Sequence, residues 1–404
     1  MRKETNIMKI KAADRLQSVS EYYFSRKLKE IADMNAQGLD VINLGIGSPD
    51  MAPSQNTVET LVSESRKKDT HAYQSYVGIP ALREAFAQWY QKYFHVSLNP
   101  GFEILPLMGS KEGIMHISMA FLNPGDGVLV PNPGYPAYAA VSRLVGADIK
   151  FYELKEENAW LPDLEVLQNM DLSEVKLMWV NYPNMPTGAK ATKKLFQDLI
   201  DFGHKNNILI INDNPYSFIL NEEHLSLLSI PEAMEVALEM NSLSKSHNMA
   251  GWRVGMVAGH QEYIQSVLKV KSNMDSGMFK PLQMAAAQAL KEEEDWFAGI
   301  NKVYKARQKH IFNMLDHLEC SYDPNQTGMF VWAKIPAHCK GSENFSDKVL
   351  KESLVFMTPG FIFGSGGEDY IRLSLCAEEE RLKEAESRIK KSFSKTEKAF
   401  QTTN

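Results

Sequence analysis

Apolar positions along this chain follow two rhythms. From about residue 80 to 290, short apolar runs of strand length alternate with stretches in which apolar residues recur at helical spacing. The runs are I-L-P-L-M (104–108), G-V-L-V-P (127–131), V-K-L-M-W-V (175–180), I-L-I-I-N (208–212), V-A-L-E-M (236–240) and V-G-M-V-A-G (254–259). Helix patterns lie between several of them, such as G-S-K-E-G-I-M-H-I-S-M-A-F-L after 108 and T-K-K-L-F-Q-D-L-I-D-F-G-H after 191. Strands that read as unbroken apolar runs and alternate with helices predict a mostly parallel sheet covered by helices on both faces. Ahead of this region, residues 20–37 read as an amphipathic helix ended by Gly38, and V-I-N-L-G-I-G-S-P-D (41–50) as a short strand entering a Gly/Pro turn. After about 290 a long charged helix, roughly 291–318, leads to M-F-V-W-A-K-I (329–335), then Y-I-R-L-S-L (370–375) and a last helix rich in Glu, Lys and Arg. The expected architecture is α/β. A large domain spans 50–288, and a smaller α+β domain spans 289–404. An N-terminal segment, 1–49, packs on the smaller one. The terminal K-S-F-S-K-T-E-K-A-F-Q-T-T-N is expected to be a frayed helix end and tail.

Composition narrows the class. With 404 residues, 44% hydrophobic and 23% charged, the chain is long enough for two cores. A net charge of −6 favours neither nucleic acid nor an anionic membrane, so neither is expected as a partner. Three widely spaced cysteines, Cys320, Cys339 and Cys376, give no disulfide framework and no zinc pattern. A reduced, cytoplasmic setting fits them. The N-terminal M-R-K-E-T-N-I-M-K-I-K lacks the apolar core of a signal peptide, and no apolar run approaches the ~18 residues of a membrane span.

The chemistry concentrates in S-L-S-K-S-H-N-M-A-G-W-R-V-G (242–255). Lys245 stands between the hydroxyls of Ser242 and Ser244, with Arg253 a short loop further on. A lysine amine forms a Schiff base with an aldehyde, and hydroxyls with a guanidinium suit a phosphate monoester. Together they suggest an anchor and phosphate cup for pyridoxal 5′-phosphate; the bare S-x-S-K alone also fits a solvated lysine in a Ser-rich loop. N-D-N-P-Y-S (212–217) ends an apolar run, so Asp213 is placed where parallel sheets bind ligands. It is a candidate partner for a protonated pyridine nitrogen, and Tyr216 for the ring phenolate oxygen O3′. An aspartate in a turn before Pro215 is the plainer alternative. G-S-K-E-G (109–113) follows a strand and opens a helix, whose free N–H groups suit a phosphate, with Gly109 allowing close approach and Ser110 adding a hydroxyl. An ordinary strand–helix turn has the same look. In N-P-G-Y-P-A-Y (132–138), Tyr135 is either a ring-stacking residue or a turn tyrosine. Arg372, inside an apolar strand, needs an anion: a substrate carboxylate or a structural salt bridge.

These motifs, in this order, resemble the fold-type I pyridoxal-phosphate enzymes of aminotransferase class I/II, over about residues 40–390. The blocks N-L-G-I-G-S-P-D, Y-x-x-x-x-G-I-P-A-L-R-E (73–84), G-S-K-E-G, N-P-G-Y-P-A-Y, N-Y-P-N-x-P-T-G, D-x-x-Y and R-L-S-L are similar to those of the family. The resemblance implies that Lys245 carries the cofactor, Asp213 pairs with its ring nitrogen and Tyr216 bonds O3′. It further implies that Gly109, Ser110, Lys111, Ser242, Ser244 and Arg253 belong to the cofactor site, with Tyr135 on the ring. Tyr73 would reach the phosphate of a neighbouring subunit, making the sites of a homodimer shared. Gly47 and Arg372 would hold the substrate carboxylate. Among subgroups, the bacterial LL-diaminopimelate, N-succinyldiaminopimelate and aspartate/alanine aminotransferases look most similar.

Two positions depart from the family. Met185 stands in N-Y-P-N-M-P-T-G where the family has an asparagine donating to O3′, and a thioether cannot donate. Either Tyr216 serves O3′ alone, or Asn181 or Asn184 is re-aimed to it. His247 replaces a frequent tyrosine and is either a fitted loop residue or one facing the phosphate or the partner. The implied reaction is transamination between an amino acid and a 2-oxo acid, with Lys245 moving the α-proton, in a ping-pong cycle. A C–S β-lyase would need the same lysine, aspartate and arginine, and a non-catalytic regulator of this build would carry a DNA-binding domain for which no helix-turn-helix or basic patch is seen. The side chain of the substrate stays open, with Lys111, Lys280, Arg143 or a partner residue as candidates for a second cation, and Met278 and Phe279 for an apolar wall.

Overall fold

The structure is a computed structural model that describes residues 10–18 and 23–393. The chain ends 1–9 and 394–404, and residues 20–22 of the expected first helix, lie outside the described residues. Thirteen strands are present among them: β1 (Ile42–Asn43), β2 (Ile104–Leu107), β3 (Gly127–Asn132), β4 (Asp148–Glu153), β5 (Val175–Val180), β6 (Leu209–Asp213), β7 (Ala237–Ser242), β8 (Gly255–Gly259), β9 (Ser321–Tyr322), β10 (Phe330–Lys334), β11 (Val355–Phe356), β12 (Thr358–Pro359) and β13 (Tyr370–Ser374). Seven form one sheet in the order β2-β8-β7-β6-β5-β3-β4. β4, β3, β5, β6 and β7 run parallel, and β8 is antiparallel to both β7 and β2. The expected mixed α/β, mostly parallel sheet is therefore the observed one. β4 escaped the reading of apolar runs because it is the sheet edge; in D-I-K-F-Y-E only Tyr152 is buried.

Alternation along each strand explains the two layers of helices. On β5, Leu177 and Trp179 enter one core while Met178 and Val180 enter the other; on β6, Leu209 and Ile211 oppose Ile210. The first core is covered by the helices Ser110–Phe121, Pro136–Val145 and Gln261–Lys271, through residues such as Ile117, Val141 and Val267. The second lies under Pro80–Phe94, Lys193–Asn206 and Lys280–Ala289, through Trp89, Leu199 and Ala286. Local signals set the ends. Thr192 accepts from the Leu195 amide to open Lys193–Asn206, and Asn207 closes it in the left-handed conformation.

A third core combines β10, β13 and the helices Glu294–His317, Ser342–Ser353 and Glu379–Phe393. Leu44 enters it from the N-terminal side, and Met185 and Tyr216 enter from beyond β5 and β6. The N-terminal segment is fastened here. β1 pairs with β11, Lys27 bonds Asp347 at 2.9 Å, and Asp40 sits between Arg381 and Arg388. The carboxyl ends of β5, β6 and β7 open toward this third core, which is where open parallel sheets place a ligand crevice.

At Gly255, beside that crevice, two other backbone segments approach closely. A Cβ there would lie 2.8 Å from the Asn241 carbonyl oxygen and 2.9 Å from the Ser110 nitrogen, neither of which can swing away. Gly255→Ala is expected to cost about 1–3 kcal/mol of stability by overpacking; urea unfolding checks this, and an unchanged midpoint would contradict the contact.

Candidate active site

A cavity of about 420 Å³ lies at the crevice. Its wall includes Gly47, Ser110, Lys111, Tyr135, Asn181 and Asp213, and continues with Tyr216, Ser242, Ser244, Lys245, Arg253 and Arg372. Segments as far apart in sequence as Phe24 and Arg372 thus meet around one space.

Lys245 sits in the short helical turn Leu243–Ser246 that follows β7. Its Nζ donates to the Gly47 carbonyl at 2.5 Å. Burial lowers its pKa to about 8; the Arg372 and Arg253 charges push the same way, and Cys376 opposes them. An amine so depressed has a usable neutral fraction near neutral pH, which is what nucleophilic attack on an aldehyde requires. At Gly47, a Cβ would fall 2.0 Å from the Phe330 ring, so the backbone can lie this close to Lys245 only without a side chain.

Asp213, the last residue of β6, is 5% exposed. Tyr138 donates its hydroxyl to Oδ2 at 3.0 Å, while Oδ1 is buried without a hydrogen bond. Burial raises the pKa to about 6 against the opposing effects of the Tyr138 and Ser110 hydroxyls. A buried, unpartnered carboxylate oxygen at a cavity wall fits a cationic N–H donor on a ligand. Tyr216, three residues on, is buried with its phenol raised well above its ordinary pKa by desolvation, so it is a hydroxyl donor at any working pH.

Opposite these stands a cradle of donors. Gly109, with φ +83°, precedes the helix Ser110–Phe121 and offers no side-chain cap, leaving the first N–H groups to the cavity. Arg253 itself has a left-handed backbone, φ 60°, and its Nη2 lies 2.2 Å from where a Gly109 Cβ would stand. Its Nη1 donates to the Ala250 carbonyl at 2.9 Å. Ser242 Oγ donates to Ser244 Oγ at 2.9 Å. Hydroxyls, a guanidinium and a helix N-terminus together suit an anion.

Arg372 enters from β13, directly across from Trp332 of β10. Its guanidinium lies 3.8 Å from the Phe330 ring centre and 4.7 Å from that of Phe363. Nη2 donates to the Gly45 carbonyl at 2.8 Å, and Nη1 lies 3.2 Å from Met185 Sδ. Two aromatic faces and a backbone carbonyl help orient the cation.

Not every sequence candidate reaches the cavity. Asn184 turns back on its own loop: its Nδ2 donates to the Asn181 carbonyl, and its Oδ1 accepts from the Thr187 amide and hydroxyl. Asn181 does line the cavity, but its side-chain amide is engaged by the Asp213 carbonyl and the Met185 amide. Neither is aimed as a second donor. Tyr73 is 91% exposed and lies outside the cavity wall. His247 is a fitted core residue: it is buried, bonded to Ser246 Oγ at 2.8 Å, packed on Phe297 and Trp89, and lowered to about pKa 3 by burial. Of the second-cation candidates, Lys111 faces the cavity while Lys280 pairs with Asp69 at 3.4 Å. Met278 and Phe279 are not part of the wall. Residues missed in the sequence include Tyr138, one turn after Tyr135 in the same quoted motif, and Phe24 and Leu28 of the helix Tyr23–Ala36. The i, i+3 spacing across Pro136 carried the signal for Tyr138; nothing local marked Phe24 or Leu28.

Residues 39–389 match the family described as aminotransferase class I and II. The chain belongs to that family. Among curated relatives, it is 41% identical to the LL-diaminopimelate aminotransferase of Oleidesulfovibrio alaskensis over 93% of this chain and 97% of that protein. It is 38% identical to an LL-diaminopimelate aminotransferase of Dehalococcoides mccartyi, again over 93% of this chain and 97% of that one. Among solved structures, apo-BacF of Bacillus subtilis is similar with a TM-score of 0.91 and 34% identity, covering 96% of this chain and 99% of that chain. A probable N-succinyldiaminopimelate aminotransferase of Thermus thermophilus has a TM-score of 0.86 and 30% identity, covering 91% of this chain and 99% of that chain. The chain is thus an aminotransferase. No helix among the described residues of this enzyme is long and apolar enough to cross a membrane.

Asp213 makes the ligand-free aminotransferase sensitive to pH. Its folded pKa of about 6 lies above the ordinary 3.8, so its protonation favours the folded state, and that stability is lost as pH rises through about 6. Asp213→Asn is expected to gain on the order of 3 kcal/mol relative to the unaltered protein between pH 4 and 8. Urea unfolding of both ligand-free proteins across that range tests it, and a constant difference would contradict the burial argument.

Proposed function

We propose that this aminotransferase binds pyridoxal 5′-phosphate on Lys245 and moves an amino group between an amino acid and a 2-oxo acid in a ping-pong cycle. The carrying observation is that the buried Asp213 carboxyl, whose Oδ1 has no hydrogen bond, lines the same cavity as the depressed amine of Lys245 and the donor cradle at Ser110, Ser242, Ser244 and Arg253. When bound, the cofactor supplies an aldehyde for the amine and a protonated ring that withdraws electrons from the substrate α-carbon. Asp213 holds the proton on the ring nitrogen. Tyr216 donates to O3′, and Tyr135 covers a ring face. Gly109, Ser110, Lys111, Ser242, Ser244 and Arg253 hold the phosphate. Arg372, with the Gly47 backbone, takes the α-carboxylate. The Lys245 amine would take the substrate α-proton as general base and return it as general acid.

The exposure of Tyr73 supports a homodimer in which this side chain serves the partner's phosphate site. The names of the relatives make LL-diaminopimelate the first substrate to try. The test is an absorbance spectrum of the protein with pyridoxal phosphate while single amino acids are added: LL-diaminopimelate, aspartate, alanine and phenylalanine. A shift to the pyridoxamine form with one equivalent of 2-oxo acid is expected. Pyruvate and ammonia accumulating without an added 2-oxo acid, or no cofactor band, would overturn the reading.

Met185 leaves O3′ with Tyr216 as its side-chain donor. Met185→Asn adds a donor to the anionic oxygen, so the spectrophotometric pKa of the bound cofactor is expected to fall. A titration midpoint that does not move would show that position 185 does not address O3′.

A further inference from the structure

β7 carries an oddity beneath the cavity. All six of its residues are buried, and the third is a glutamate, Glu239, with 0% exposure. It does not line the cavity, so it touches neither substrate nor cofactor. A buried carboxylate is tolerated only when several donors surround it. Glu239 has four. Oε1 accepts from the Tyr90 hydroxyl at 3.0 Å and the Ser226 hydroxyl at 2.7 Å. Oε2 accepts from the Asn212 side-chain amide at 2.9 Å and the Leu227 backbone amide at 2.8 Å.

The Asn212 bond leads into the site. With its NH₂ held by Glu239, Asn212 must present its oxygen the other way, where it accepts from the Tyr182 backbone amide at 3.0 Å. Asn212 immediately precedes Asp213, and Tyr182 immediately follows Asn181. Asn181 in turn bonds the Asp213 carbonyl and the Met185 amide. Two amides therefore cross-tie the ends of β5 and β6, and the carboxylate decides which way the first of them points.

We infer that Glu239 is a positioning residue: by orienting Asn212 it fixes the end of β6, and with it the Asp213 carboxylate, against the loop that carries Asn181 and Met185. This inference rests on the reading of Asp213 as the ring-nitrogen partner of the cofactor. The two sides of Glu239 also differ in a way that can be tested. The donors on Oε1 are hydroxyls, which can rotate to accept, whereas those on Oε2 are N–H groups, which cannot. Glu239→Gln can therefore keep the Asn212 bond by turning its NH₂ toward Tyr90 and Ser226, and Glu239→Leu cannot.

The experiment compares Glu239→Gln, Glu239→Leu, Asn212→Ser and Ser226→Ala with the unaltered enzyme. It reads thermal stability, the dissociation constant for pyridoxal phosphate, the cofactor absorbance and the separate kcat and KM. Glu239→Gln is expected within about threefold of the unaltered enzyme in cofactor affinity and kcat, whereas Asn212→Ser and Glu239→Leu lose tenfold or more in both, roughly what misplacing a reacting group costs. Ser226→Ala, which removes an Oε1 donor alone, is expected to lower stability while leaving affinity and absorbance in place. If Glu239→Leu fails to fold, Asn212→Ser against Ser226→Ala decides. The inference is overturned if Asn212→Ser keeps cofactor affinity and kcat within about threefold, if it fails to fold where Ser226→Ala folds, or if losses in all variants simply track stability. A missing cofactor band in the unaltered protein would instead strike the proposed function itself.

Discussion

The cost of keeping a carboxylate out of water shapes this site more than any other single term. Asp213 ends a strand that is apolar up to its last two residues; Tyr138 donates to one of its oxygens, the Ser110 hydroxyl also favours the charged form, and burial still raises its pKa. An isolated charge cannot stay in such a place, so the group either holds a proton or meets a cation. The surrounding elements are consistent with the second outcome. Tyr138 is stacked on Trp179 and cannot swing away, and the backbone of Asp213 is pinned by Asn181. The carboxylate is therefore set before any ligand arrives, and binding loses little free energy in ordering it.

Desolvation governs the cations as well. Lys245, Arg253 and Arg372 face one cavity, and their mutual repulsion with burial pulls the lysine amine down. Among these three the lysine is the group whose pKa yields, with burial as the largest cause. Aromatic rings beside Arg372 and the carbonyl of Gly45 keep it in place without supplying a counter-charge of their own. Gly47 and Gly109 serve both cations by absence. Each lacks the one atom that would collide with Phe330 or with Arg253.

Two separate cores make the cavity a seam. Met185 and Tyr216 leave the sheet ends but pack in the third core, and Phe24 and Leu28 reach the wall from a helix fastened to the C-terminal elements by Lys27 and Asp347. Arg372 on β13 and Asp213 on β6 thus line one cavity from different packing units. Motion of one against the other would open or close the space between them.

Much of this was legible in the sequence, because the relevant signals are local. Continuous apolar runs bounded by turns gave β2, β3, β5, β6, β7 and β8, and a residue at the end of such a run faces the crevice by the geometry of a parallel sheet. That logic singled out Asp213, and the hydroxyl-flanked S-x-S-K segment singled out Lys245; the structure places both on one cavity wall with Tyr216 and Ser110. Edge strand β4 was hidden because only one side of it needs apolar residues, and the reversed direction of β8 was hidden because an apolar run carries no sign. Asn184 could not be placed from sequence, which shows a side chain but not its competing partners; here its oxygen accepts from Thr187 and it does not line the cavity. Tyr138, Phe24 and Glu239 depend on contacts between elements distant along the chain. Chain order alone determined which residues sit at strand ends and turns; the tertiary structure alone decided which buried polar groups satisfy one another and which are left for a ligand. The reason is that hydrogen-bond satisfaction in a low-dielectric interior is settled by three-dimensional neighbours.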